Sequence, residues 1–289
     1  MKKVGIIGLG LIGGSMGLAL RQTGRYRVYG DDISAGHLRV ARERGLIDEP
    51  LTPELISAMD GIVLAVPVDQ LPSTALYYLN RIHNEAWITD TGSIKHPLAR
   101  AIENHPRRGR FVLAHPIAGT EYSGPRAAME GLFKGKINIL SDTFLSDEDA
   151  LEAVKNLFAR DLKMEIAELP SRMHDQHIAY VSHLSHVSAF MLGKTVLDVE
   201  TDEKNIFLMA GSGFASTVRL AKSSPQTWTP IFLENKAYLI PVLEKYIRNM
   251  ELFIALLEDN DAEGIRRLLA QINQIGQIID RIHKKHGKQ

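Results

Sequence analysis

The sequence predicts an α/β fold over residues 1–169, built on a mostly parallel sheet, followed by an all-helical part over residues 170–289. Three observations carry that expectation. Short apolar runs alternate with amphipathic segments as far as Leu169, the rhythm of repeated βα units. A glycine-rich turn closes the first of those runs. After Pro170 the texture changes, and leucine and isoleucine recur at helical spacing to the end of the chain.

Taken in order, the strands are read at Val4–Ile7, Arg27–Gly30, Gly61–Val66, Ala86–Thr89, Phe111–Ala114 and Ile137–Leu140, with Met164–Ala167 as a last addition. Helices follow the strands, for example over Leu38–Arg44 and Asp147–Phe158. In the second part, "SRMHDQHIAYVSHLSHVSAFML" is helical, with Ile178, Val181, Leu184 and Val187 spaced to line one face. "TWTPIFLENKAYLIPVLEKYIRNMELFIALLED" continues as helix and should kink or break at Pro241. This half is more apolar than a small free-standing bundle needs, which points to a helical homodimer interface.

Lysine plus arginine (34) balance aspartate plus glutamate (34), and no basic block stands out. Neither nucleic acid nor an anionic membrane is therefore expected as a partner. The chain has no cysteine, which removes disulfides and thiolate chemistry and fits a reducing compartment. The N-terminal "MKKVGIIGLGLIGGSMGLAL" has the charged start and apolar region of a signal peptide, but its six glycines make a poor continuous helix. No run of apolar residues is long enough for a membrane span, so a cytoplasmic protein is expected.

The glycines fit a different role. Gly8-x-Gly10-x-x-Gly13 ends the first strand and opens a helix. In a dinucleotide-binding turn the first glycine allows the tight bend, the second lets backbone approach a pyrophosphate, and the third lets helix and strand pack closely. Leu11 and Ile12 lie within the motif, where amides at the helix start face the phosphate charge. The second strand ends in Asp31–Asp32, and Asp32 stands 19 residues past Gly13, near the spacing of an acid that bonds the adenosine ribose. A carboxylate there favours NAD over NADP. Asp32 is preferred for that bond, with Asp31 as the alternative. The expected architecture is thus a Rossmann-type dinucleotide-binding domain followed by an all-helical dimerisation domain.

Ligands of an open parallel sheet bind outside the carboxyl ends of its strands. Those ends carry the glycine loop, Asp32, Val66–Pro67–Val68, "TDTGSIK" (Thr89–Lys95) and, on the fifth strand, His115. Proline and glycine in "HPIAGTEYSG" stop that strand at the histidine. Ser93 and His115 should then share the cofactor's crevice. A neutral imidazole there can accept the proton an alcohol loses as hydride leaves its carbon, and Ser93 can hold that alcohol or orient the ring. Ser93 lacks the G-x-S-x-G setting of a nucleophile. Farther on, His174, His177, His183 and His186 form H-x-x-H pairs, but without matching carboxylates no metal is expected. "GSGFASTVRLAKSSPQTW" presents Arg219, suited to bidentate capture of a carboxylate, and Lys222, which reads as a surface charge.

"GLGLIGGS", "TDTGSIK", "HPIAGTEYSG", "VSHLSH", "RLAKSSPQTW" and "IFLENK", in this order, resemble the prephenate/arogenate dehydrogenase family of tyrosine biosynthesis, over nearly the whole chain. The resemblance implies NAD-dependent oxidative decarboxylation of prephenate. In it His115 takes the proton of the ring hydroxyl, Ser93 helps hold that hydroxyl, and Arg219 binds a substrate carboxylate. His183 and His186 would contact substrate, Trp228 would wall the pocket, and Glu121 would join a polar network at its mouth. Aromatisation makes the step strongly downhill, so the site needs positioning and proton acceptance above all.

The chain departs from the family's pattern in two places: Ser185 stands where relatives commonly have proline, and Ala215–Ser216 where they tend to carry a basic residue and then aspartate. Charge near Arg219 would decide between prephenate and arogenate, and prephenate is the preferred reading. With no room for an appended regulatory domain, tyrosine is expected to act, if anywhere, as a competitor at the active site. A β-hydroxyacid-type dehydrogenase shares the N-terminal fold, but its lysine in a glycine-rich helix start is missing. A non-catalytic NAD-sensing regulator would have no use for a proton acceptor beside the nicotinamide.

Overall fold

The computed structural model describes residues 1–203 and 205–286. Among them one sheet contains β1 (Lys2–Ile7), β2 (Tyr26–Asp31), β3 (Glu49–Pro50), β4 (Gly61–Leu64), β5 (Trp87–Asp90), β6 (Phe111–Pro116), β7 (Ile137–Ser141) and β8 (Glu165–Glu168). Their spatial order is β3-β2-β1-β4-β5-β6-β7-β8. The first six run parallel, β7 is antiparallel to β6, and β8 is parallel to β7. The 3-2-1-4-5-6 portion is the doubly wound dinucleotide-binding order, with its switch point between β1 and β4.

The helices of this part are α1 (Leu11–Gln22), α2 (Ala35–Glu43), α3 (Leu71–Leu79), α4 (His96–Ile102) and α5 (Glu148–Lys155). They cover both faces of the sheet, which is why the central strands read as continuous apolar runs. One core joins Val4, Ile6, Val28, Val63 and Val112 to Met16 and Leu20 of α1 and Val154 of α5. The other joins Ile7, Ile62, Leu64 and Ile88 to Leu71 and Leu79 of α3 and Leu98 and Ile102 of α4. Beyond β8 come α6 (Ser171–Ile178), α7 (Leu184–Glu203), α8 (Ser212–Thr217), α9 (Pro225–Glu234), α10 (Lys236–Glu258), α11 (Ala262–Ile272) and α12 (Gln274–His286). No described helix is long and apolar enough to cross a membrane.

The chain forms two compact units, Met1–Lys236 and Ala237–Gln289. In the second, the faces of α10 to α12 carry exposed apolar side chains, among them Ile247, Met250, Ile254, Leu269, Ile275 and Ile278, each about half exposed.

Four sequence expectations need correction. The strand at Phe111 does not stop at Ala114 but runs through His115 and Pro116, paired to Ile139 and Asn138 of β7. Proline is tolerated because the Ile117 N–H donates to Ile137 O on the β7 side, so position 116 faces the other way. On that side β5 pairs only at Phe111 and Val112. With the short β3 counted, His115 sits on the sixth strand, and only a 3-10 turn, Pro125–Ala127, lies between it and β7 among the described residues. The strand read as Gly61–Val66 ends at Leu64, leaving Val66–Val68 in the loop beyond. The helix is interrupted at Asn235, the C-cap of α9, and α10 continues through Pro241.

The fourth concerns the face of the helix after Pro170. Val181 is 72 % exposed, whereas Ser171, His174, Asp175, Ile178, Ala179 and His183 are buried. A π-helical turn over Ala179–His183 separates α6 from α7. Its wider turn shifts the phase, so the apolar stripe extrapolated from Ile178 no longer faces inward.

Candidate active site

The glycine loop is built as its residue types require. Gly8 has φ +90°, and a Cβ there would meet the Ala65 backbone. A Cβ on Gly13 would run into Gly8 O, so only glycine lets α1 approach β1 this closely. A Cβ on Gly10, the N-cap of α1, would meet nothing within 4 Å. The loop is therefore closed on its protein side and open at Gly10, which is the shape a pyrophosphate needs. Leu11 is buried and Ile12 half-buried at the helix start.

Asp32 is the member of the acidic pair that reaches this loop. Its Oδ2 accepts from Leu9 N at 2.8 Å and lies 3.3 Å from His37 Nδ1, while Oδ1 accepts from Ser34 N at 2.9 Å. Asp31 ends β2, and burial raises its carboxyl above the usual range. Val66 and Val68 are half-buried and Pro67 is exposed beyond the end of β4. These residues fit a dinucleotide, with Asp32 rather than Asp31 beside the glycine loop.

The chemical end centres on His115, buried near the end of β6. Its Nδ1 lies 2.8 Å from Nε2 of His174 on α6, and His174 Nδ1 lies 2.7 Å from Asp175 Oδ1. Asp175 is anchored in turn. Its Oδ1 accepts from Lys95 N and its Oδ2 from His96 N, both at 2.8 Å. Its carbonyl accepts from Asn235 Nδ2 at 2.9 Å. Beneath the same strand, fully buried Lys95 donates to Ala114 O at 2.7 Å and pairs with Asp90, whose Oδ1 accepts from Ala114 N at 3.1 Å. Burial pushes the Asp90 carboxyl up and the Lys95 ammonium down, and their pairing opposes both shifts.

These surroundings set the charge of the ring. Burial first, then His174, Lys95 and His183, hold His115 well below the usual histidine range, so it is neutral at pH 7. Ser93 is half-buried in the loop between β5 and α4, two residues before Lys95. The ring nitrogen of His115 is engaged by His174, and no hydrogen bond from Ser93 to that ring occurs among the described residues.

His183 is fully buried, with its Nδ1 3.0 Å from Asn235 Nδ2 and its ring edge-on to Trp228 at 6.0 Å. Burial pushes it down to about 4, against the opposing charge of Asp175. His186 donates from Nδ1 to Ser182 O at 2.9 Å and stacks on Trp228 with centroids 3.4 Å apart. Burial lowers it too, and Arg219 adds to that shift. Arg219 pairs with Glu121 at 3.8 Å. That contact supplies the partner Glu121 lacked in the sequence, and it ties the loop after β6 to the segment carrying the guanidinium. Ala215 and Ser216 are exposed on α8, and Lys222 is exposed.

The sequence reading missed His174 as a neighbour of His115, and gave Asp90, Lys95, Asp175 and Asn235 no individual role. A signal for part of this was present. Ser171, His174, Asp175 and Ile178 follow i, i+3, i+4, i+7, the spacing of a buried stripe, with polar residues in three of its places.

The family model for the prephenate dehydrogenase nucleotide-binding domain matches residues 16–165, and that for the prephenate dehydrogenase dimerization domain matches residues 170–271. The prephenate dehydrogenase of Bacillus subtilis is 32% identical over 268 residues, covering 91% of this chain and 72% of that protein. The cyclohexadienyl dehydrogenase of Zymomonas mobilis is 28% identical over 91% of this chain and 90% of its own length. Among solved structures, Aquifex aeolicus prephenate dehydrogenase in complex with hydroxyphenyl propionate and NAD+ superposes with a TM-score of 0.88 at 32% identity, covering 96% of this chain and 98% of that one. Synechocystis arogenate dehydrogenase gives 0.77 at 27% identity, over 96% of this chain and 99% of that one. With glycine loop, buried histidine and helical half all accounted for, this chain belongs to the prephenate dehydrogenase family.

Proposed function

We infer that the protein is an NAD-dependent prephenate dehydrogenase that converts prephenate to 4-hydroxyphenylpyruvate in tyrosine biosynthesis. The observation that carries this reading is a neutral, buried imidazole near the carboxyl end of β6, in the same sheet as an open glycine loop. NAD, when bound, supplies the hydride acceptor. Gly8, Gly10, Leu11, Ile12 and Gly13 would hold its pyrophosphate side, Asp32 its ribose, and Val66–Val68 would flank it.

His115 accepts the proton of the ring hydroxyl as the carbinol C–H bond breaks with its electron pair, leaving a ring carbonyl. The bond to the ring carboxylate then breaks, releasing carbon dioxide, and its electrons make the ring aromatic. The resulting phenolate oxygen takes the proton back from His115. The protein therefore needs one group that gains and returns a proton, and a neutral histidine is suited to both. Ser93 would steady the hydroxyl, and Arg219 would hold a carboxylate in the bidentate way its planar guanidinium allows. His183, His186 and Trp228 would wall the pocket, with Glu121 at its mouth holding Arg219 until substrate arrives. Tyrosine, similar in shape to the product, would compete for the same pocket.

A functional boundary at residues 169/170, between nucleotide-binding and helical parts, belongs to the same proposal. So does a homodimer formed through the helical part, supported by the exposed apolar faces of α10 to α12. The test is NADH formation with prephenate and, separately, arogenate. Turnover of prephenate at the higher kcat/KM is expected; arogenate as the better substrate would reassign the reading, and no turnover of either would end it.

A further inference from the structure

His115, His174 and Asp175 form a buried line of three side chains contributed by two elements, β6 and α6. Two contacts of 2.8 and 2.7 Å join them. We propose that His174 and Asp175 are positioning residues that fix the tautomer of His115, leaving the lone pair of its Nε2 for the substrate hydroxyl.

The assignment follows from counting donors and acceptors along the line. Asp175 is held by two main-chain N–H groups, one on each oxygen, so its carboxylate is an acceptor with no proton to give. At 2.7 Å from Oδ1, His174 Nδ1 must carry the hydrogen. In this assignment His174 carries one N–H, so its Nε2 presents a lone pair. His115 Nδ1, 2.8 Å away, must then be the donor, and its Nε2 is left without a hydrogen. The reverse arrangement would set the Nδ1 lone pair of His174 against a carboxylate oxygen in a buried site, where an unmade hydrogen bond is costly. A doubly protonated His174 would donate from Nε2 and leave the His115 hydrogen on Nε2, the outcome that overturns the assignment.

The line has a second consequence for the reaction. A proton taken at Nε2 makes His115 a cation facing a lone pair on His174, with the Asp175 carboxylate behind it. The charge forms against dipoles already aimed at it, the arrangement that lowers a barrier without reorganisation. Asp175 also accepts from Lys95 N and His96 N, so it fastens α6 to the loop that carries Ser93. The positively charged group beneath the strand, Lys95, is spent on Asp90 and Ala114 O and gives no hydrogen bond to the ring. His183, the remaining titratable neighbour, is engaged through Nδ1 by Asn235.

The inference rests on the prephenate reading only for the identity of the hydroxyl. One arm of the test is independent of turnover: nitrogen-15 NMR of histidine-labelled, substrate-free protein. It is expected to show His115 neutral with its hydrogen on Nδ1; a hydrogen on Nε2 overturns the proposal. The second arm compares His174→Gln, which can still accept from His115 and donate to Asp175, with His174→Leu, which can do neither. His174→Gln should keep kcat within about tenfold of wild type. His174→Leu should lose about 100-fold or more, the usual worth of a positioned base, with the KM for NAD unchanged. Asp175→Asn should invert the line by donating to His174, the change that costs about 10⁴ in kcat in a serine-protease triad. Equal rates for the Gln and Leu variants overturn the proposal. A wild type that turns over neither substrate yet shows the Nδ1 hydrogen refutes the substrate reading and supports the tautomer.

Discussion

His183 gives the sharpest quantitative prediction for stability. Its ring is fully buried between Asn235 and Trp228, and its pKa is about 4 in the folded protein against 6.5 for a free histidine. Well above pH 6.5 the ring is neutral whether the chain is folded or not, so it adds no pH dependence there. As pH falls below 6.5 the unfolded chain takes up a proton that the folded one refuses until about pH 4, and stability drops. From those two values the loss is about 2 kcal/mol at pH 5 and about 3 kcal/mol at pH 4, using about 1.4 kcal/mol per pKa unit. His115 and His186 are shifted in the same direction and steepen the fall. The perturbation is His183→Gln, which can still accept from Asn235 but does not titrate. Urea unfolding from pH 7.5 to pH 4 should give a variant less stable at the top of the range. Its pH curve should be flatter by about one proton's slope, about 1.4 kcal/mol per pH unit, between pH 6 and pH 4.5. Parallel curves for the two proteins would refute the reasoning.

Three further perturbations test the cofactor and substrate ends. Asp32→Ala should raise the Kd for NAD about tenfold or more without changing the KM for prephenate, and Asp31→Ala should do less; calorimetric titration separates the two. Gly10→Ala should fold with a near-wild-type Tm but bind NAD more weakly, since the added Cβ enters open space. Gly13→Ala should be recovered poorly or melt far lower, because its Cβ meets Gly8 O. Arg219→Gln should raise the KM for prephenate by about tenfold or more and leave thermal stability nearly unchanged. Its 3.8 Å pair with Glu121 is 56 % exposed on the arginine side, and such pairs contribute about 0–1 kcal/mol.

The features the sequence revealed and those it hid differ in physical origin. The glycine loop was legible because Gly8 and Gly13 answer to backbone demands that no other residue meets, and Asp32 because its distance from the loop is set by one βα unit. His115 was legible because apolar runs mark strands and ligands collect at their carboxyl ends. The length of its strand was not, since Pro116 reads as a stop unless the antiparallel partner β7 and its pairing side are known. β3, two residues long, carries no periodicity to detect. His174 and Asp175 were hidden for a different reason: a buried polar residue occupies the place of an apolar one, and periodicity alone then follows the wrong stripe. The π turn at Ala179–His183 completes the misreading by shifting the phase of every residue after it. Glu121 depends on Arg219, 98 residues away, and only the fold brings that pair together.

The central claim is that His115 is the proton acceptor in an NAD-dependent oxidation of prephenate. The most direct measurement is the kcat for NADH formation from prephenate by His115→Asn, taken beside its Kd for NAD. A fall in kcat of about 100-fold or more with NAD affinity unchanged is the result expected for loss of a general base. A variant that binds NAD and keeps the wild-type rate would remove His115 from the chemistry and contradict the account.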